Sequence, residues 1–118
     1  MQSWELSEMA NFIIDSLIDE FEKYETRLRR ITVKINYKMR SCAGRAYEGR
    51  NRIELNPNLL CEHDNRGEAE ETILHEIAHI LAGCKNGHNH RWKEVCREIG
   101  GNAETYHYMP CRHLMRTF

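Results

Sequence analysis

Apolar residues recur every three or four positions through the first two dozen residues: Met9, Phe12, Ile13, Leu17, Phe21 and Tyr24. That spacing predicts an amphipathic helix, capped by Ser3 or Ser7, running to about Lys23 and packing on a sheet. The period then changes. Ile31, Val33, Ile35 and Tyr37 alternate with Thr32, Lys34, Asn36 and Lys38, which predicts a half-buried strand with one wet face. Ser41 to Tyr47 reads as a second, less regular strand, and Glu48-Gly49-Arg50-Asn51 as a turn. Arg52 to Asn56 reads as a third strand, with Ile53 and Leu55 pointing one way, ended by Pro57, which cannot donate to a ladder. The three strands are expected to form a small antiparallel meander.

Asn58 to Cys61 is expected to be a short helical turn or a loop. Helical spacing then returns. Ile73, Leu74, Ile77, Ala78, Ile80 and Leu81 form a broad apolar stripe, the mark of a largely buried helix. Asp64 or Asn65 is its expected start, and Asn65 with Glu68 resembles a capping box. Glu68, Glu70 and Glu71 suit the positive end of the helix dipole, and Gly83 suits the stop. A polar loop, Cys84 to His90, leads into a further helix marked by Trp92, Val95, Cys96 and Ile99 and ended by Gly100-Gly101. The tail from Asn102 is aromatic and His-rich without a firm pattern. The order of elements predicts one α+β domain over residues 1–118.

Net charge changes this picture little. The formal value is -1, so nothing global calls for nucleic acid. Acids cluster before residue 26, however, and bases between Arg27 and Arg52, where Glu48 is the one acid. That belt can follow phosphates, although a solvated sheet face explains it more simply. Five cysteines, no C-x-x-C pair and no leading apolar run suggest a reduced, intracellular, cytoplasmic protein with no membrane contact.

The chemistry lies in His75-Glu76-Ile77-Ala78-His79. On a helix, residues four apart share a face, so His75 and His79 can offer two imidazoles to one metal ion, with Glu76 beside them as a general base. A catalytic zinc takes three protein ligands and keeps one open position. The third must come from beyond the helix, and loop length allows His88 or His90. The metzincin spacing fails, because the position six after His79 is Lys85. Glu94 and Glu98 fall on the wet face of the last helix, which disfavours a carboxylate ligand. His107, Cys111 and His113 could close a second metal site but lack a fourth partner, and read instead as packing residues.

His75-Glu76-Ile77-Ala78-His79, then Gly87-His88-Asn89-His90-Arg91-Trp92-Lys93, then Ile99-Gly100-Gly101 resembles the SprT-like metalloprotease domain. Cys42-Ala43-Gly44-Arg45 and Arg52-Ile53-Glu54-Leu55-Asn56 are similar to the family's two strands before the motif. The resemblance spans roughly residues 12 to 102. It implies a zincin-like fold, one catalytic Zn2+, His88 as third ligand through its spacing from Trp92, His90 as the fallback, and Glu76 as catalytic base. Family members often carry Gly where this chain has Asn89, and many carry a C-terminal zinc ribbon for which only Cys111 remains here. Spartan-type members cleave proteins crosslinked to DNA with additional DNA-binding modules. The expectation is therefore an intracellular zinc endopeptidase acting on proteins or peptides, with DNA-associated substrates and a weak DNA contact through residues 27–52 implied more faintly. The rival reading is a metal-stabilised adaptor for nucleic acid or protein without catalysis. A third is an amide hydrolase for small molecules.

Overall fold

The computed structural model describes residues 1–61, 66–83 and 87–104, together with the backbone of 106–108 and 114–116. It is α+β. Helix α1 (Ser3–Glu20) is followed by a 3-10 turn at Glu22–Tyr24 and a short helix α2 (Glu25–Arg30). Strands β1 (Thr32–Ile35), β2 (Gly44–Tyr47) and β3 (Arg52–Leu55) come next, then α3 (Pro57–Leu60), α4 (Arg66–Ala82), α5 (His90–Glu98), and a hairpin of β4 (Tyr106–Tyr108) and β5 (Leu114–Arg116). No described helix is long and apolar enough to cross a membrane.

The expected antiparallel meander is wrong. The strand order is β1-β3-β2, with β3 parallel to β1 and antiparallel to β2. Burial explains the choice: Ile53, Glu54 and Leu55 are all buried, as a central strand requires, whereas β1 alternates exposed and half-buried. The link from β1 to β2 rounds the end of β3 and is tied there. Asn56 donates from its backbone to the Ala43 carbonyl (2.9 Å) and from its side chain to the Cys42 carbonyl (3.0 Å). The same side chain accepts from Asn58 N–H (3.0 Å) and caps α3, with Pro57 at its first position.

The first helix is corrected in length and in part of its face. Its fully buried positions are Leu6, Ala10, Ile14 and Leu17; of the other expected positions Met9, Ile13, Phe21 and Tyr24 pack partly buried against the core, whereas Phe12 is 72% exposed. Gln2 rather than a serine precedes the first turn, and Glu5 accepts from its backbone N–H (2.9 Å). The expected start of the motif helix at Asp64 or Asn65 lies outside the described residues. Helix α4 is enclosed by α1, α5, β2 and β3. From Thr72 onward its neighbours bury it nearly all round, so Thr72, His75, Glu76 and His79 lie inside the molecule, while Arg66 and Glu70 in the first turns stay exposed. Arg27 of α2 donates to the Ile80 carbonyl in its last turn (2.6 Å).

Candidate metal centre

His75 and His79 are 2% and 4% exposed, one turn apart on α4. Gly83 stops the helix there: at φ 98° it takes a left-handed conformation that a side chain would disfavour, and its N–H returns to the His79 carbonyl (2.9 Å). The chain comes back at His88. Asn89 caps α5 by accepting from Trp92 N–H (3.2 Å), which anchors His88 just outside the helix start. His88 Nε2 then lies 2.9 Å from His75 Nε2 and 3.1 Å from His79 Nε2. The three donor atoms all fall within 4.8 Å of one another.

Trp92 backs this triangle. Its ring centroid is 4.6, 5.4 and 4.7 Å from those of His75, His79 and His88, and its Nε1–H donates to the His75 carbonyl (3.2 Å). The indole is fully buried. It therefore fixes both the ring packing and the approach of α5 to α4.

The donor set fits a metal ion. A tetrahedral ion with bonds of about 2.0–2.1 Å holds its nitrogens about 3.3 Å apart, close to the spacings found. Burial and the neighbouring His88 push His79 down to about 4, so its imidazole is neutral, and a ligand nitrogen free, at ordinary pH. His90, the alternative ligand, instead meets Glu94 (2.7 Å) with its side chain 88% exposed. Glu98 is taken by Lys23 and by Tyr24 Oη (2.7 Å). Among the described residues, the triad of 75, 79 and 88 is the group so assembled. Side chains at 107, 111 and 113 lie outside those residues.

A model of the SprT-like family matches residues 13–112. The chain belongs to the SprT-like family. It is similar to two proteins called Protein SprT. One, from Glaesserella parasuis serovar 5 (strain SH0165), is 40% identical over 70 residues, covering 55% of this chain and 44% of that protein. The other, from Vibrio parahaemolyticus serotype O3:K6 (strain RIMD 2210633), is 37% identical over 70 residues, covering 55% and 42%. The SprT-like chain thus matches less than half the length of each relative. No solved structure matches it.

Glu76, expected as the base, is fully buried, and both carboxylate oxygens lack a hydrogen-bond partner among the described residues. An orphaned buried carboxylate is costly. Burial pushes it well above the usual carboxylate range; Cys42 adds to the rise and Arg45 opposes it. The side chain rests on β2. A Cβ added to Gly44 would stand 3.0 Å from Glu76 Cγ, 3.1 Å from Glu76 Oε2 and 2.9 Å from Thr72 Cγ2. Thr72, one turn before Glu76, is likewise buried with its hydroxyl unpartnered.

Sequence reasoning saw Ala43-Gly44 only as part of a strand. A small residue in a strand is a known sign of close approach, but the sequence does not say to what. Thr72, Cys42 and Arg45 carried no signal of their own. Arg52–Leu55 is the central strand β3, so the free sheet edge next to Glu76 belongs to β2.

Proposed function

We propose that this SprT-like chain is a zinc-dependent endopeptidase of zincin-like architecture. The reading is carried by one observation: three imidazole nitrogens converge while a buried carboxylate, one residue from the first, has no hydrogen-bond partner among the described residues. Three histidines without a thiolate suit a catalytic rather than a structural zinc. His75, His79 and His88 would hold the zinc ion, which would supply Lewis acidity toward water and a peptide carbonyl. Glu76 accepts the proton of the attacking water and returns it to the leaving amine. Its enclosure against Gly44 and Thr72 limits its rotamers, which keeps the base in place.

The outer edge of β2 receives the substrate. An extended polypeptide adds there as a further strand, held by main-chain hydrogen bonds. DNA-associated proteins fit as substrates through the exposed cations Arg30, Lys34 and Arg50.

Cleavage of an unstructured protein, with and without chelator, tests the reading. Glu76→Gln is expected to keep the metal and lose cleavage by about a hundredfold or more. Wild-type protein that binds zinc stoichiometrically yet cuts nothing would favour the adaptor reading. DNA in the same assay is expected to raise the rate, and the rise to vanish at high salt.

A further inference from the structure

A cavity of about 290 Å³ opens beside β2, beneath the link from β1, and its lining contains Asn36, Lys38, Arg40, Cys42 and Arg45. Among the described residues, no carboxylate lines it. The acid opposite Arg45 in the sheet, Glu54, is already held by Arg52 (3.0 Å) and by Asn36 Nδ2 (2.8 Å). Three cations, Lys38, Arg40 and Arg45, therefore frame a small space, with Arg45 also donating to Cys42 Sγ (3.8 Å).

Its position matters as much as its charge. Gly44 touches Glu76, and Cys42 and Arg45 flank Gly44 in sequence. Gly44 and Ala46 are the buried positions of β2, turned toward the interior and α4, while Arg45 and Tyr47 take the opposite face. A strand added to the free edge of β2 alternates its side chains in the same way. Every second substrate residue thus turns toward the face on which Arg45 and this cavity lie.

We propose that this cavity is a specificity subsite for an acidic side chain of the polypeptide substrate, aspartate or glutamate, held by Lys38, Arg40 and Arg45. The inference deepens the peptidase reading and rests on it. A cavity of about 290 Å³ at the start of β2 has ample room for an acidic side chain. A nucleic-acid backbone would call for a longer track of cations.

The test uses unstructured substrates that differ only by Asp, Ala or Lys at scanned positions around the cut. One position is expected to favour Asp over Ala by about tenfold in kcat/KM, the preference shrinking as salt rises. Lys38→Glu with Arg40→Glu, both exposed and outside the metal centre, is expected to turn that preference toward Lys. Turnover of the Ala substrate should stay within about twofold. Equal cleavage of all three substrates, or a preference that survives the charge reversal, overturns the subsite and leaves the peptidase reading standing.

A binding arm separates the two ideas. A labelled acidic peptide is titrated against Glu76→Gln protein, with and without the charge reversal. Binding that the reversal abolishes, in a protein whose wild type cuts nothing, keeps the anion subsite and sinks the peptidase. Single-stranded DNA binding that the reversal abolishes, with no effect on acidic peptide, makes the cavity a phosphate contact and overturns the proposal.

Discussion

Gly44→Ala is the sharpest probe of how the fold holds its base. The backbone of Gly44 does not have a positive φ, so alanine is conformationally permitted there. Replacing glycine at such a position commonly stabilises by about 0.4–1 kcal/mol through the unfolded chain. Against that gain stands a new methyl 2.9–3.1 Å from three atoms of Thr72 and Glu76, where carbon contacts prefer about 3.5–4.0 Å. All three atoms belong to buried stretches of α4, and overpacking of this kind costs about 1–3 kcal/mol. The steric term wins, and a net loss of about 1–2 kcal/mol is expected. The alternative relief is for Glu76 to swing away by about half an ångström or more. A misplacement of that order lowers kcat by about 10–100-fold. No metal ligand is among the three atoms, so zinc affinity should stay within about threefold of wild type. Denaturant melts, zinc competition and peptidase kinetics on one preparation give all three numbers. Wild-type kcat with unchanged stability would refute the claim that Gly44 seats Glu76.

His88→Ala is expected to abolish tight metal binding, whereas His90→Ala should retain it; equilibrium dialysis with metal analysis distinguishes them, and the reverse result would reassign the third ligand. Trp92→Phe keeps an aromatic ring but loses the hydrogen bond to the His75 carbonyl. It should cost about 1–3 kcal/mol and weaken metal affinity about tenfold, and unchanged melting and affinity would remove the indole from its positioning role. Acid acts on the metal-free protein through His79, which takes its proton near 4 when folded and near 6.5 when unfolded. Between those values the unfolded chain holds the extra proton, so stability is full above about 6.5 and falls as pH drops toward 4, by up to about 3 kcal/mol. Urea midpoints of chelated protein at several pH values check this, and a flat profile across that window would contradict it.

The grouping of the candidate ligands was legible in part because helical geometry is local. The helical period alone puts His75 and His79 on one face, whereas loop length allowed His88 or His90 and only the family resemblance favoured His88. Helix α5 was equally plain, since Trp92, Val95 and Cys96 all bury as the spacing demanded. Strand order was not legible, because alternation looks the same in a central strand and an edge strand. Only burial of both faces sets β3 apart, and Glu54 disguised it by being buried as a partner of Arg52 and Asn36. The face of α1 was read only in part. Its sequence offers two overlapping apolar stripes; tertiary packing buries the one through Leu6, Ala10 and Ile14 fully and the one through Met9 and Ile13 partly, leaving Phe12 outside. Gly44 could not be read at all, because a glycine's contact is written in its neighbour's side chain.

The buried indole of Trp92 also equips the protein with its own optical gauge. The chain has two tryptophans, and the other, Trp4, stands 62% open to solvent. Their emission should separate into a blue component from the interior and a red one from the surface. A paramagnetic ion such as Co2+ or Cu2+ seated among the three rings would quench only the blue component, so occupancy could be followed in real time, label-free, in protein that has never met a substrate.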